Sequence, residues 1–181
     1  MLDLVRSPHS GANVLFSGTT RSTFGDSTVE SLRYSAYTPL ALRSMLRICT
    51  DIQTKYSASG VAMVHRLGEV GVGEESILIA ISTKHRGEAW RGGEEALERC
   101  KSEVEVWKME RFEGGGVWRA NRDGAAGVKV EEGDFVPDGE QGKEGKVGKV
   151  ITRSDPLPSE EDTKRPVPPL ERGHGPVVHH Q

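Results

Sequence analysis

The chain has 181 residues, 35% of them hydrophobic and 28% charged, with 22 Gly, 9 Pro and a formal net charge of −3. That length suits one domain with additional segments. The slightly acidic balance argues against a general nucleic-acid surface, and two cysteines, Cys49 and Cys100, are too few for a disulfide framework or a spaced metal motif.

Residues 1–20 hold Asp3, Arg6, Pro8 and His9 and no long apolar run. Neither a secretory signal nor a membrane span is predicted, and the free thiols point to a reducing compartment, the cytosol. "ANVLFSGTTR" (Ala12–Arg21) is a short apolar run closed by Gly and two Thr, which predicts a strand entering a polar loop. In "TVESLRYSAY" (Thr28–Tyr37), Leu32, Tyr34 and Ala36 alternate with Arg33 and Ser35, the pattern of a half-exposed strand. Thr38 followed by Pro39 predicts a cap and a first helical position. Leu42, Met45, Leu46, Cys49, Ile52 and Tyr56 then follow at helical spacing.

"GVAMVHRLGEVGVGEESILIAIS" (Gly60–Ser82) predicts a strand, a tight Gly turn, a short strand, a second Gly turn and a long apolar strand. The unbroken apolar run Ile77–Ile81 is expected to be central and covered on both faces. "KHRGEAWRGGEEALERCKSEV" reads as a helix in its second half, with Gly92 and Gly93 weakening it by roughly 1 kcal/mol each relative to Ala. "VEVWKMERF" returns to strand composition. The order β, β, α, β, β, β, α, β predicts an α+β sandwich, with helices on a largely antiparallel sheet.

Apolar content collapses after Asn121. "EEGDFVPDGEQGKEGKVGKV" is charged and Gly-rich, and "RSDPLPSEEDTKRPVPPLERGHGP" is Pro-rich and polar. Residues 1–121 are therefore read as the domain. Residues 122–181 are read as a disordered, dispensable tail, in which Val147, Val150 and Ile151 add one weak strand at most.

Lys84, His85 and Arg86 follow the central strand and precede a helix. His and Arg beside a helix N-terminus make a candidate anion pocket, against the plain alternative of a solvated loop. Lys101, in the last turn of that helix, suits the helix dipole and needs no further role on composition alone. Lys108 shares a strand face with Val104, Val106, Glu110 and Phe112, so it lies at a rim or in a pocket, with Glu110 holding it charged. "GTTR" offers a Gly for close backbone approach, two hydroxyls and Arg21 for an anion. There is no Walker A, Rossmann, GxSxG or HExxH motif. His174, His179 and His180 fall in the tail, and no metal site is expected. Both cysteines read as packing.

Five of these stretches, in this order, resemble the large, catalytic subunit of molybdopterin synthase: the GTTR turn, the strand-to-helix junction "YSAYTPLAL", the hairpin "VHRLGEVGVGE", the His85–Arg86 pair and the ending "KSEVEVWKME". The resemblance covers nearly all of residues 1–121 and implies an α/β hammerhead fold with an additional antiparallel sheet. It implies sulfur transfer into cyclic pyranopterin monophosphate, making the dithiolene of molybdopterin. The sulfur arrives as a thiocarboxylate on the C-terminal tail of a small ubiquitin-like partner, so no resident cofactor is implied. It also implies a homodimer of large subunits within a heterotetramer.

By resemblance, Lys101 takes the role of main catalytic lysine and Lys108 that of a second functional lysine. His85, Arg86, Lys101, Lys108, Met109, Glu110 and Arg21 fall at substrate-binding positions. Three departures stand out: little sequence ahead of "LDLV", where many members carry an extra strand; Met109 at an often basic position; and the Gly92–Gly93 pair. A non-catalytic module that binds a ubiquitin-like tail is the rival reading.

Overall fold

A computed structural model describes residues 1–112, 115–120, 126–130 and 147–154. After a 3-10 turn (Leu2–Leu4) come β1 (Ala12–Thr19), β2 (Thr23–Phe24), β3 (Ser27–Ala36), α1 (Thr38–Lys55), β4 (Gly60–Arg66), β5 (Gly68–Gly71) and β6 (Glu75–Thr83). Helix α2 (Arg86–Glu103) follows, then β7 (Val106–Phe112), β8 (Gly115–Ala120), β9 (Gly127–Val130) and β10 (Val147–Arg153). The class is α+β, as the sequence predicts, with two antiparallel sheets among the described residues. One runs in the order β1-β6-β4-β10. The other runs β2-β3-β7-β8-β9, with β5 also paired to β3.

Strand β6 is central in the first sheet, between β1 and β4, and nearly all of it is buried. Its Ile77, Ile79 and Ile81 join Met45, Ile48 and Ile52 of α1 and Ala96 of α2 in the main core. Its Ala80 faces the other way, onto Ala62 and Val5. The buried stripe of α1 runs through Ala41, Met45, Ile48 and Ile52, at steps of three and four. Leu46, expected on that stripe, is one residue out of phase and exposed. The N-cap of α1 is Tyr37 rather than Thr38, with Pro39 still in the first turn, where its missing N–H costs nothing.

Helix α2 runs from Arg86 to Glu103, well beyond the second half of the predicted stretch, and Gly92 and Gly93 face the sheet. A Cβ on Gly92 would stand 2.5 Å from Ile81 Cδ1 and 3.2 Å from the Tyr56 ring. The glycines give up helix propensity and gain a close helix–sheet approach. The expected β4–β5 hairpin is absent. β4 pairs with β6 and β10, whereas β5 crosses to the edge of β3 in the second sheet.

The largest correction concerns the C-terminal segment. Strand β10 lies beyond Asn121 yet pairs with β4 along seven residues, from Val147↔Arg66 to Arg153↔Gly60. Period-two alternation sends Val150 to the main core and Ile151 to the small cluster of Val5, Ala62 and Ala80 on the opposite face. The Arg153 guanidinium donates to the carbonyls of Leu4 at 2.7 Å and Arg6 at 2.8 Å. The chain's two terminal regions are thereby tied together beside β4. The weak strand expected at Val147, Val150 and Ile151 is there, but their polar surrounding gave no sign that it joins the sheet of β4. Strand β9, also beyond Asn121, pairs with β8 from Gly116↔Val130 to Arg119↔Gly127, and the rest of the expected tail apart from residues 126 and 154 lies outside the described residues.

Deleting residues 122–181 is therefore expected to lower the unfolding free energy by about 3 kcal/mol or more, given roughly 1.5–3 kcal/mol per buried aliphatic side chain. Urea denaturation of the truncated and full chains measures this. Ile151→Asp in the full chain is expected to act in the same direction, and unchanged midpoints in both would contradict a structural role for β10.

Candidate functional site

The site begins at an irregularity in β1. The β1–β6 register shifts between Gly18 and Thr19, and a Cβ on Gly18 would meet Ile77 Cγ2 at 2.7 Å. The bulge turns the following residues away from the sheet. The Thr20 N–H donates to the Glu74 carbonyl at 3.0 Å, and the Gly73 N–H donates to the Thr20 carbonyl at 2.9 Å. Thus pinned, Thr20 is buried, and Thr19 and Arg21 reach a cavity of about 230 Å³. Lys101 enters it from the last turn of α2, and Lys108 and Glu110 from β7.

Strand alternation does the rest. Val106, Lys108 and Glu110 share the inward face of β7, while Trp107 and Arg111 point outward and are exposed. Glu110 is only 2% exposed. A carboxylate so far from water needs partners, and it has one at each oxygen. Lys108 Nζ lies 3.2 Å from Oε1, and Arg119 Nε, on β8, lies 3.1 Å from Oε2. Around the cavity, the cations Arg21, Lys101 and Lys108 outnumber the one carboxylate, whose charge is already shared. The arrangement suits an anion.

Tyr34, His65 and Ser76 also line the cavity. The Tyr34 and His65 rings meet edge to face at 5.0 Å. His65 Nδ1 lies 2.8 Å from the Arg66 carbonyl, so Nδ1 carries the proton and donates, the tautomer that contact requires. Burial pushes the imidazole pKa below its ordinary value, opposed by that backbone bond. Burial raises the Tyr34 phenol, against a hydrogen bond with Ser76. Both rings are therefore neutral at neutral pH. Ser76 Oγ also donates to the Gly18 carbonyl at 3.2 Å, tying this polar wall to the bulge.

Of the residues singled out in the sequence, Arg21, Lys101, Lys108 and Glu110 meet at this cavity. His85 and Arg86 do not. They are exposed at the opposite end of α2, fifteen residues and roughly 22 Å from Lys101 at 1.5 Å per residue. Met109 lies on the face of β7 away from Lys108, so a missing charge there does not reach the cavity. The sequence reading missed Tyr34, His65 and Arg119. Arg119 was legible in one respect: a Gly-rich stretch follows Phe112 in the sequence, and β8 pairs with β7 so that Arg119 stands directly opposite Lys108. The thiols of Cys49 and Cys100 are buried in the core and pushed up to about 12 by burial, so neither is a thiolate at neutral pH. Among the described residues, no group of three His, Cys, Asp or Glu is placed to hold a metal, and no helix is long and apolar enough to cross a membrane.

Residues 1–103, which include β1, the GTTR turn and Lys101, match the model of the family described as MoaE protein. The chain belongs to the MoaE family. Two curated relatives carry the name molybdopterin synthase catalytic subunit. The one from Neurospora crassa is 64% identical over 134 residues, 73% of this chain and 65% of the relative. The chain thus spans just under two thirds of that protein's length. The one from Sclerotinia sclerotiorum is 52% identical over 180 residues, 98% of this chain and 84% of the relative, so that likeness continues past Asn121. Among solved structures, molybdopterin synthase from Staphylococcus aureus superposes with a TM-score of 0.62 at 34% identity, covering 65% of this chain and 86% of that one. The MoaE-family fold thus places the cationic cavity between β1, the end of α2 and β7.

The buried imidazole gives this MoaE-family chain a pH signature. A histidine held neutral in the fold binds its proton more readily once unfolded, so stability is full above the ordinary pKa of 6.5 and falls as the pH drops below it. The loss ends at the lower, folded-state pKa. Denaturation between pH 7 and pH 5 is expected to show this slope, at most about 1.4 kcal/mol per pH unit. His65→Asn is expected to flatten it, and an identical slope in the variant would contradict the assignment.

Proposed function

We propose that this chain is the catalytic subunit of a molybdopterin synthase, a sulfurtransferase that carries sulfur from a partner's thiocarboxylate into cyclic pyranopterin monophosphate. The observation that carries this reading is the convergence of Arg21, Lys101 and Lys108 on one cavity in a chain whose own thiols are inert. A chain with no accessible thiolate performs sulfur transfer only if another molecule brings the sulfur. The name catalytic subunit, borne by the fungal relatives, fits an assembly of more than one kind of chain. In this reading the extended tail of a small ubiquitin-like carrier delivers the thiocarboxylate to the cavity in the cytosol, and neither metal nor cofactor is required. Lys101, 31% exposed at its side chain, faces the arriving tail and stabilises negative charge as sulfur leaves the acyl carbon. Lys108 and Arg21 hold the phosphate. A module that only retained the tail would have no use for three cations around one cavity.

The distance between His85–Arg86 and Lys101 gives the homodimer a task. If both ends of α2 serve one substrate, the His85–Arg86 pair comes from a second copy of the chain, within the heterotetramer the reading implies. At about 230 Å³, the cavity of one chain is smaller than the roughly 300–1,000 Å³ of a closed small-molecule site, in keeping with a site that a second copy completes.

Lys101→Ala is expected to abolish product formation from thiocarboxylated carrier and cyclic pyranopterin monophosphate, read by mass, while carrier binding is unchanged. Full turnover by that variant would overturn its role. Mixing Lys101→Ala chains one to one with chains carrying His85→Ala and Arg86→Ala is expected to restore roughly a quarter of wild-type activity. Half the dimers are then mixed, and each has one intact composite site. No recovery would place every group in a single chain.

A further inference from the structure

We infer that Arg119 is a positioning residue for this site: it takes up half of the Glu110 carboxylate and so leaves Lys108 available to an anionic substrate. The inference rests on the proposed function and goes beyond the residues carried by the family resemblance.

The geometry is specific. The β7–β8 register places Arg119 directly opposite Lys108, so two cations face each other across a strand pair. Such a pair is repulsive unless something lies between them. Glu110 does, with Oε1 toward Lys108 Nζ at 3.2 Å and Oε2 toward Arg119 Nε at 3.1 Å. The three charges sum to +1. Without Arg119 the sum is zero, and both carboxylate oxygens of this side chain, only 3% exposed, turn to the one remaining cation.

Arg119 is itself held on both sides. Its guanidinium carbon lies 5.4 Å from the centroid of the Phe24 ring, and Phe24 lines the cavity. On the other side is Gly127 of β9, where a Cβ would come within 3.1 Å of Arg119 Cγ and Cζ. Sequence beyond Asn121 therefore helps to place this side chain. Arg119 does not itself line the cavity, so its effect passes through Glu110. Lys108 does line it and is 20% exposed at its side chain. Of its three N–H donors, one is engaged by Glu110 and two are left for a phosphate.

The test compares Arg119→Gln and Arg119→Lys, which keep most of the stem, in the complex with thiocarboxylated carrier. Arg119→Gln is expected to raise KM for cyclic pyranopterin monophosphate about tenfold and to change kcat less than about threefold, with Arg119→Lys restoring most of the loss. In a Glu110→Gln background, Arg119→Gln is expected to add little, because no carboxylate charge remains to be shared. A KM within about twofold of wild type in Arg119→Gln would overturn the inference, as would effects that multiply in the double variant. A second readout needs no turnover. Acetic anhydride labelling of Lys108, followed by peptide mass mapping, is expected to fall in Arg119→Gln and not in Arg119→Lys. Equal labelling of all three proteins would overturn the positioning role. If the wild-type complex makes no product, the proposed function fails, and the labelling still decides whether Arg119 frees Lys108.

Discussion

The site depends on one buried carboxylate. Glu110 sits on the inward face of β7 with almost no access to water, and a lone charge there would cost several kcal/mol. Its two cationic partners come from its own strand and from β8, so the charge also fixes how those strands pair. A slip of one residue on β7 would turn Glu110 outward and bring Met109 or Arg111 in, exchanging a satisfied charge for an unsatisfied cavity. Removing one partner of such a buried pair typically costs about 3–5 kcal/mol. The register of β7 and β8, and with it the position of Lys108, is thus tied to electrostatics as much as to apolar packing.

Two other constraints bring the remaining cations to the same place. Gly92 and Gly93 let α2 lie close on β6, which sets where its last turn, and Lys101, ends. The bulge at Gly18 and Thr19, pinned by the backbone of Gly73 and Glu74, swings Arg21 toward the cavity. None of the three devices is chemical in itself, yet each delivers one positive charge. The sheet beneath them is completed by β10, held against β4 and fastened by Arg153 to the N-terminal turn.

Most of the fold was legible where periodicity was strong. The central strand β6, helix α1 and the inward face of β7 follow directly from apolar spacing. What failed had local causes. Gly92 and Gly93 read as weak helix because propensity says nothing of a sheet packed against them. β5 read as half of a hairpin because a tight Gly turn does not reveal that the chain changes sheets. β10 read as one weak strand at most in a polar tail, since its pairing with β4 is set by tertiary contact. In the site, residue type alone ranked Lys108 above Lys101, and family resemblance supplied the reverse order. Family resemblance also grouped His85 and Arg86 with the lysines, although Arg86 and Lys101 are fifteen residues apart at opposite ends of α2. Spacing along a chain does not tell whether two ends of one helix meet through a second copy.

The central claim is that this cavity receives sulfur from another protein and passes it to a pterin phosphate. The most direct measurement combines the full chain, a small carrier whose C-terminal thiocarboxylate bears heavy-isotope sulfur, and cyclic pyranopterin monophosphate, with the product weighed by mass spectrometry. The account predicts a dithiolene product in which both sulfurs carry the label. No product, or a product whose sulfur is unlabelled, would contradict it.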